Sequence, residues 1–133
     1  MKKELSKYFE AVGRRKTSTA RVRIFLSSEG FDVNGSDYKA YFKTSGQKTS
    51  AEKPLKKMTV PEKVGISVKV SGGGLASQAD AVSLGIARAI VKMNPDQKSV
   101  FHASGLLTRD PRAVERKKYG LKKARRAPQW AKR

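Results

Sequence analysis

The chain has 133 residues, with 30 Lys and Arg against 11 Asp and Glu, a formal net charge of +19, and no cysteine. That length holds one compact domain with appendages, and the missing cysteines exclude disulfides, zinc fingers and thiol catalysis. Charge of this size opposes compaction, and the usual remedy is a polyanion whose counterions are released as basic side chains replace them.

Nothing in the sequence resembles a membrane span, a lipidation signal or a strongly amphipathic basic helix, so nucleic acid is the expected partner and no membrane is. The opening MKKELSKYFEAVG has no apolar signal-peptide core, so the cytoplasm is the expected compartment. Charge is also unevenly spread. Residues 1–108 read as a globular body, and residues 109–133, with 11 basic and 2 acidic side chains, read as an extended basic tail.

The expected fold class is α+β, with about four strands in a mainly antiparallel sheet packed against helices. Tyr8–Gly13 is the first strand candidate. It leads into GRRKTSTAR, where Arg14, Arg15 and Lys16 are expected in a turn followed by Thr17, Ser18 and Thr19. Cations beside short hydroxyl side chains suit phosphate oxygens, although in a neutral protein the same stretch would be a solvated hairpin. In ARVRIFLS, residues 20–27, alternation predicts a second strand with Ala20, Val22, Ile24 and Leu26 on one face. Arg21 and Arg23 then share the other face and extend the basic patch onto the sheet.

Phe31–Val33 can form a third strand before the Asn34-Gly35 hairpin signal, and SDYKAYF reads as a brief helix capped by Ser36. Residues 44–63 are polar and hold Pro54 and Pro61, which predicts loop with one helical turn. Val64, Ile66, Val68 and Val70 alternate as a further strand. After SGGG, the residues Leu75, Ala79, Val82, Ile86, Ala89, Ile90 and Met93 form one helical apolar stripe. Ser77 and Asp80 fit a capping box, so the helix is expected to start near Ser77 and to stop at Asn94-Pro95. PDQKSVFHASG predicts a short helix ended by Gly105.

Gly72, Gly73, Gly74 and Gln78 lie in a strand-to-helix link where backbone N–H groups can approach an RNA phosphate. The link matches neither nucleotide-binding glycine pattern, so no small-molecule substrate or cofactor is expected. His102 reads as packing or surface. Spacing shows no catalytic triad, carboxylate pair or metal cluster, and therefore no enzyme. The tail cations Arg109, Arg112, Arg116, Lys117, Lys118, Lys122, Lys123, Arg125 and Arg126 are candidate RNA contacts. Like charges at helical spacing, Gly120 and Pro128 argue against a helix there. Fully extended, residues 116–133 would span about 60 Å, at ~3.3 Å per residue. Such a tail is expected to be disordered when free and ordered along RNA, with Trp130 and the guanidinium planes stacking.

The stretches GRRKTSTARV, VNG, VSGGGLASQADAVSLGIARAI and LTRDPRAVERKKYGLKKARRAPQWAKR closely resemble the bacterial type of the ninth small-subunit ribosomal protein family. The resemblance covers nearly the whole chain. It implies a fold like the second domain of the fifth small-subunit protein, with a left-handed β-α-β crossover against the usual hand. It also implies a place in the small-subunit head, on ribosomal RNA and beside neighbouring head proteins. The tail would reach the anticodon stem of peptidyl-site tRNA through Trp130, Lys132 and Arg133. Two departures stand out. The family commonly has Phe-Ser where this chain has Trp130-Ala131, so stacking can persist but a hydroxyl contact cannot. Residues 44–63 match poorly. Rival readings are an architectural DNA-binding protein and an RNA-acting enzyme, which would need a groove-reading helix or an acid/base pair.

Overall fold

In a computed structural model, which describes residues 8–26, 28–58 and 63–132, strands β1 (Tyr8–Arg15) and β2 (Ser18–Phe25) form an antiparallel hairpin. Arg15 pairs with Ser18, so the turn is only Lys16 and Thr17. Arg14 and Arg15, expected in the turn, belong instead to β1, because the ladder runs to its last pair. Lys16 alone takes a positive φ, of 52°. Ser27 of the expected second strand lies outside the described residues.

β3 (Gly30–Val33) and β4 (Ser36–Asp37) flank Asn34 and Gly35, whose φ values of 51° and 83° supply the tight turn that this dipeptide predicts. The cap of α1 (Tyr38–Tyr41) is Asp37, not Ser36. Ser36 is paired with Val33, and the Asp37 carboxylate accepts from Lys39 N–H at 3.2 Å. Residues 44–58 also depart from expectation, while Pro61 lies outside the described residues. Thr44 caps a 13-residue helix, α2 (Ser45–Lys57), rather than a single turn. Pro54, which argued for loop, sits inside it. Buried with Ala51, it joins the packed interior, and that burial offsets the ~3 kcal/mol an internal proline costs. The Tyr38 hydroxyl, pushed up to about 12 by burial and by Glu52, donates to the Glu52 carboxylate and ties α1 to α2.

β5 (Gly65–Ser71) enters between β2 and β3, antiparallel to the first and parallel to the second. The sheet order is β1-β2-β5-β3-β4, five strands and mostly antiparallel. The additional strand beyond the expected four is the two-residue β4. Helix α3 (Leu75–Met93) lays Ala79, Val82, Ile86, Ala89 and Ile90 on the apolar face of the sheet, where Val22, Ile24, Val33 and Val68 are buried. Asn94 and Pro95 end it as predicted. A 3-10 turn (Pro95–Gln97) then leads into α4 (Lys98–Ala103), and Gly105 closes the segment at φ 73°. His102 is exposed.

Two contacts seat α3. A methyl group on Gly13 of β1 would lie 1.9 Å from the Ala81 carbonyl oxygen and 2.4 Å from Gly85 N, so helix and strand backbones touch directly. The long side chains of Arg88 and Lys92 donate to the carbonyls of Val12 and Glu10, each at 2.8 Å. They cover the free edge of β1, which would otherwise invite pairing with another strand.

Candidate nucleic-acid interface

The hairpin turn, the glycine link and the root of the tail meet beside the N-terminus of α3. Gly72 and Gly73 take φ values of 79° and 61°, a backbone path that side chains resist. A methyl on Gly73 would lie 2.2 Å from Ser18 Oγ and 2.6 Å from Ser77 Oγ, so the link is shut tightly against the hairpin. The helix starts earlier than the S-x-x-D pattern implied. Gly74 is its N-cap, and Ser77 is its third residue, accepting from Gly74 N–H at 3.2 Å. Asp80 is left free to face Arg15 at 3.7 Å.

Two predicted contact residues turn inward. The Ser18 hydroxyl, buried, lies 2.9 Å from the Gly72 carbonyl oxygen and 2.7 Å from Ser77 Oγ. Gln78, also buried, donates to the same carbonyl at 2.9 Å and accepts from the Tyr41 hydroxyl at 2.6 Å. Asn34 bonds both ways with the Val70 backbone. These groups hold the glycine link in shape, while Lys16, Thr17, Gly73 and Gly74 remain exposed. Ala113 and Val114 of the tail line the same cleft as those four. A neighbouring cleft of about 330 Å³ is lined by Arg14, Arg15, Lys53 and Arg112, together with Asp80 and Asp110.

Carboxylates sort the cations. Asp110 pairs with Arg15 and, at 2.7 Å, with Arg112. Hydrogen bonds from Arg112, then from Arg15, hold its carboxyl well below the usual range. On the sheet, Glu10 accepts from Arg21 Nε at 2.6 Å and Arg23 Nε at 3.0 Å, and the Arg21 bond chiefly lowers its pKa. In the tail, Glu115 pairs with Lys118 and, at 2.9 Å, with Arg125. The run 117–133 has no acid of its own, but the residue two places before it serves two of its cations. Among the described residues, Arg14, Lys16, Arg109, Arg116, Lys117, Lys122, Lys123 and Arg126 form no ion pair. Trp130 is 81% exposed, Lys132 is exposed, and Arg133 lies outside the described residues.

Sequence reading missed Glu10, Lys53, Asp80 and Asp110 as parts of this surface. Only Glu10 left a usable signal: counting back from a two-residue turn at Lys16 and Thr17 places it opposite Arg23.

The Asp110 pairs set a pH dependence. A carboxyl whose folded pKa is depressed adds stability above its unfolded value of about 3.9, and that stability is lost as pH falls toward the folded value. Wild type should therefore lose melting temperature below about pH 4 more steeply than Asp110→Asn. Parallel melting curves through acid would show the Asp110 pairs to be inconsequential.

Among the described residues no helix is long and apolar enough to cross a membrane, and no three metal-binding side chains converge. Residues 13–133 match the family model described as Ribosomal protein S9/S16. The small ribosomal subunit protein uS9 of Cytophaga hutchinsonii is 50% identical over 123 residues, covering 92% of this chain and 96% of the relative. That of Nostoc punctiforme is 48% identical over 122 residues, covering 91% and 88%. That of Mycobacterium tuberculosis is 43% identical over 129 residues, covering 97% and 85%. With the motifs of hairpin, glycine link and tail all inside the matched region, this chain belongs to the ribosomal protein S9/S16 family.

Proposed function

We propose that the chain is a structural, non-enzymatic constituent of the small ribosomal subunit, whose body binds ribosomal RNA in the head and whose tail reaches peptidyl-site tRNA. The observation that carries this is the convergence of the hairpin turn, the glycine link and the tail root on one side of the body. Their cations exceed the local carboxylates, and phosphates supply the missing anions.

Residues 1–108 act as the anchored body and residues 109–133 as a tail ordered fully only by RNA. Lys16, Thr17 and the Gly73–Gly74 backbone face the RNA, while Ser18 and Gln78 shape the link from behind. Arg14, Arg15 and Arg112 hold phosphate at the neighbouring cleft, and Arg109, Arg116, Lys117, Lys122, Lys123 and Arg126 track the backbone. Lys118 and Arg125 exchange Glu115 for phosphate when the tail extends. The terminal Trp130, Lys132 and Arg133 serve the tRNA. A groove-reading DNA helix is disfavoured by α3, whose apolar stripe is on the sheet and whose Arg88 and Lys92 serve β1.

Deleting Trp130 to Arg133 is the direct test. Reconstituted small subunits should assemble normally and bind peptidyl-site tRNA roughly tenfold more weakly, a loss of about 1.4 kcal/mol. Unchanged tRNA affinity and reading-frame maintenance would remove the tRNA role and leave the ribosomal RNA role standing.

A further inference from the structure

Among the described residues, the helices cover one face of the sheet and leave the other open. β1, β2 and β5 pair there so that Glu10 stands opposite Arg23, Tyr8 opposite Phe25 and Arg21 opposite Lys69. Arg21, Arg23, Ser67 and Lys69 together line a shallow cleft. At one end the Arg23 guanidinium carbon lies 5.0 Å from the centroid of the Tyr8 ring, which in turn lies 5.7 Å from Phe25. Tyr8 is 40% exposed.

Glu10 organises this group. Both of its oxygens accept from guanidinium Nε atoms, and one also accepts from Arg21 Nη2 at 3.4 Å, which fixes the planes of Arg21 and Arg23 and leaves Arg21 Nη1 and the terminal nitrogens of Arg23 outside its hydrogen bonds. A planar cation already stacked on an aromatic ring has lost its rotamer freedom before any ligand arrives, and that lowers the cost of binding.

We infer that this open face is a second RNA contact, taking one unpaired base on the Arg23–Tyr8 stack and the adjoining phosphates on Arg21 and Lys69. The inference rests on the RNA-binding reading above and adds a site on the sheet face turned away from α3. The chemistry favours RNA over a protein partner. Flat side chains with cations and short hydroxyls suit bases and phosphates. Tyr8, Phe25 and Val12 supply too little apolar area for the dry centre of a protein interface.

The test compares two ten-nucleotide strands, oligouridylate and its base-free counterpart, against the full-length chain at fixed salt. Wild type should bind the uridine strand about tenfold more tightly, since stacking one base on a side chain is worth that order. Tyr8→Ala should erase most of this preference while leaving the base-free affinity within about twofold. Arg23→Lys, which keeps the charge and removes the plane, should do the same and guards against misfolding of the first variant. A preference that survives both variants and disappears in Trp130→Ala overturns the inference and assigns stacking to the tail. Unaltered RNA binding with loss of a neighbouring head protein from reconstituted subunits also overturns it. Absence of salt-dependent binding to either strand would instead sink the underlying RNA-binding reading.

Discussion

Gly13→Ala is expected to destabilise the body by about 3 kcal/mol, the upper end for overpacking, and to lower its melting temperature by roughly 10 °C. The new methyl would meet the Ala81 carbonyl oxygen and the Gly85 amide, both backbone atoms of α3 that cannot rotate away. The whole helix would have to lift from β1, and with it the Arg88 and Lys92 contacts to the strand edge. Gly85→Ala should be milder, because its methyl would press mainly on Val22 Cγ2, a side-chain atom, at 2.6 Å. Thermal melting followed by far-ultraviolet circular dichroism reads both. A Gly13→Ala transition within about 2 °C of wild type would mean that α3 is not seated on β1 as described.

RNA affinity should fall by about 100- to 2,000-fold between 50 and 200 mM salt if the chain engages five to eight single-strand phosphates. That corresponds to a slope of roughly −3.5 to −5.6 in log K against log salt, at about −0.7 per phosphate. Changing Lys122, Lys123, Arg125 and Arg126 together to glutamine should flatten the slope by about 2.8. Arg125 contributes the smallest share of the four, since Glu115 competes for it at 2.9 Å. Titrations at four salt concentrations with a fixed head-region RNA fragment are sufficient. A slope near zero would mean that the positive charge does not touch the backbone.

How much of this was readable in advance depended on the range of the interactions. The α3 stripe and the alternation in β2 and β5 are local, and they give the right elements because each buries most of its apolar set on one shared core; Leu26, expected on the buried face, lies past the end of β2 and is 44% exposed. Helix α2 was lost because Pro54 and a run of polar residues look like loop. Only its packing into the interior through Ala51 and Pro54 makes it pay. Helix α3 starts two residues before Ser77, because Ser77 satisfies a capping pattern yet bonds backward to Gly74.

Candidate contact residues were legible as charge and as glycine, but their orientation was not. Ser18 and Gln78 turn inward because the Gly72 carbonyl, 54 and 6 residues away in sequence, needs donors. The roles of Asp80 and Asp110 depend on Arg15 being brought beside them, which nothing in a linear reading conveys.

The position of β5 between β2 and β3 has a consequence for biogenesis. While the chain emerges from a ribosome, the first hairpin and the short β3–β4 pair can each close locally, but β3 and β4 cannot join the first hairpin in one sheet until β5 has been made between them. Closing that non-local pairing is slow compared with local hairpin formation. The nascent protein therefore passes through an interval with an unmatched strand edge and a large positive charge, when free RNA or a chaperone would be its natural escort.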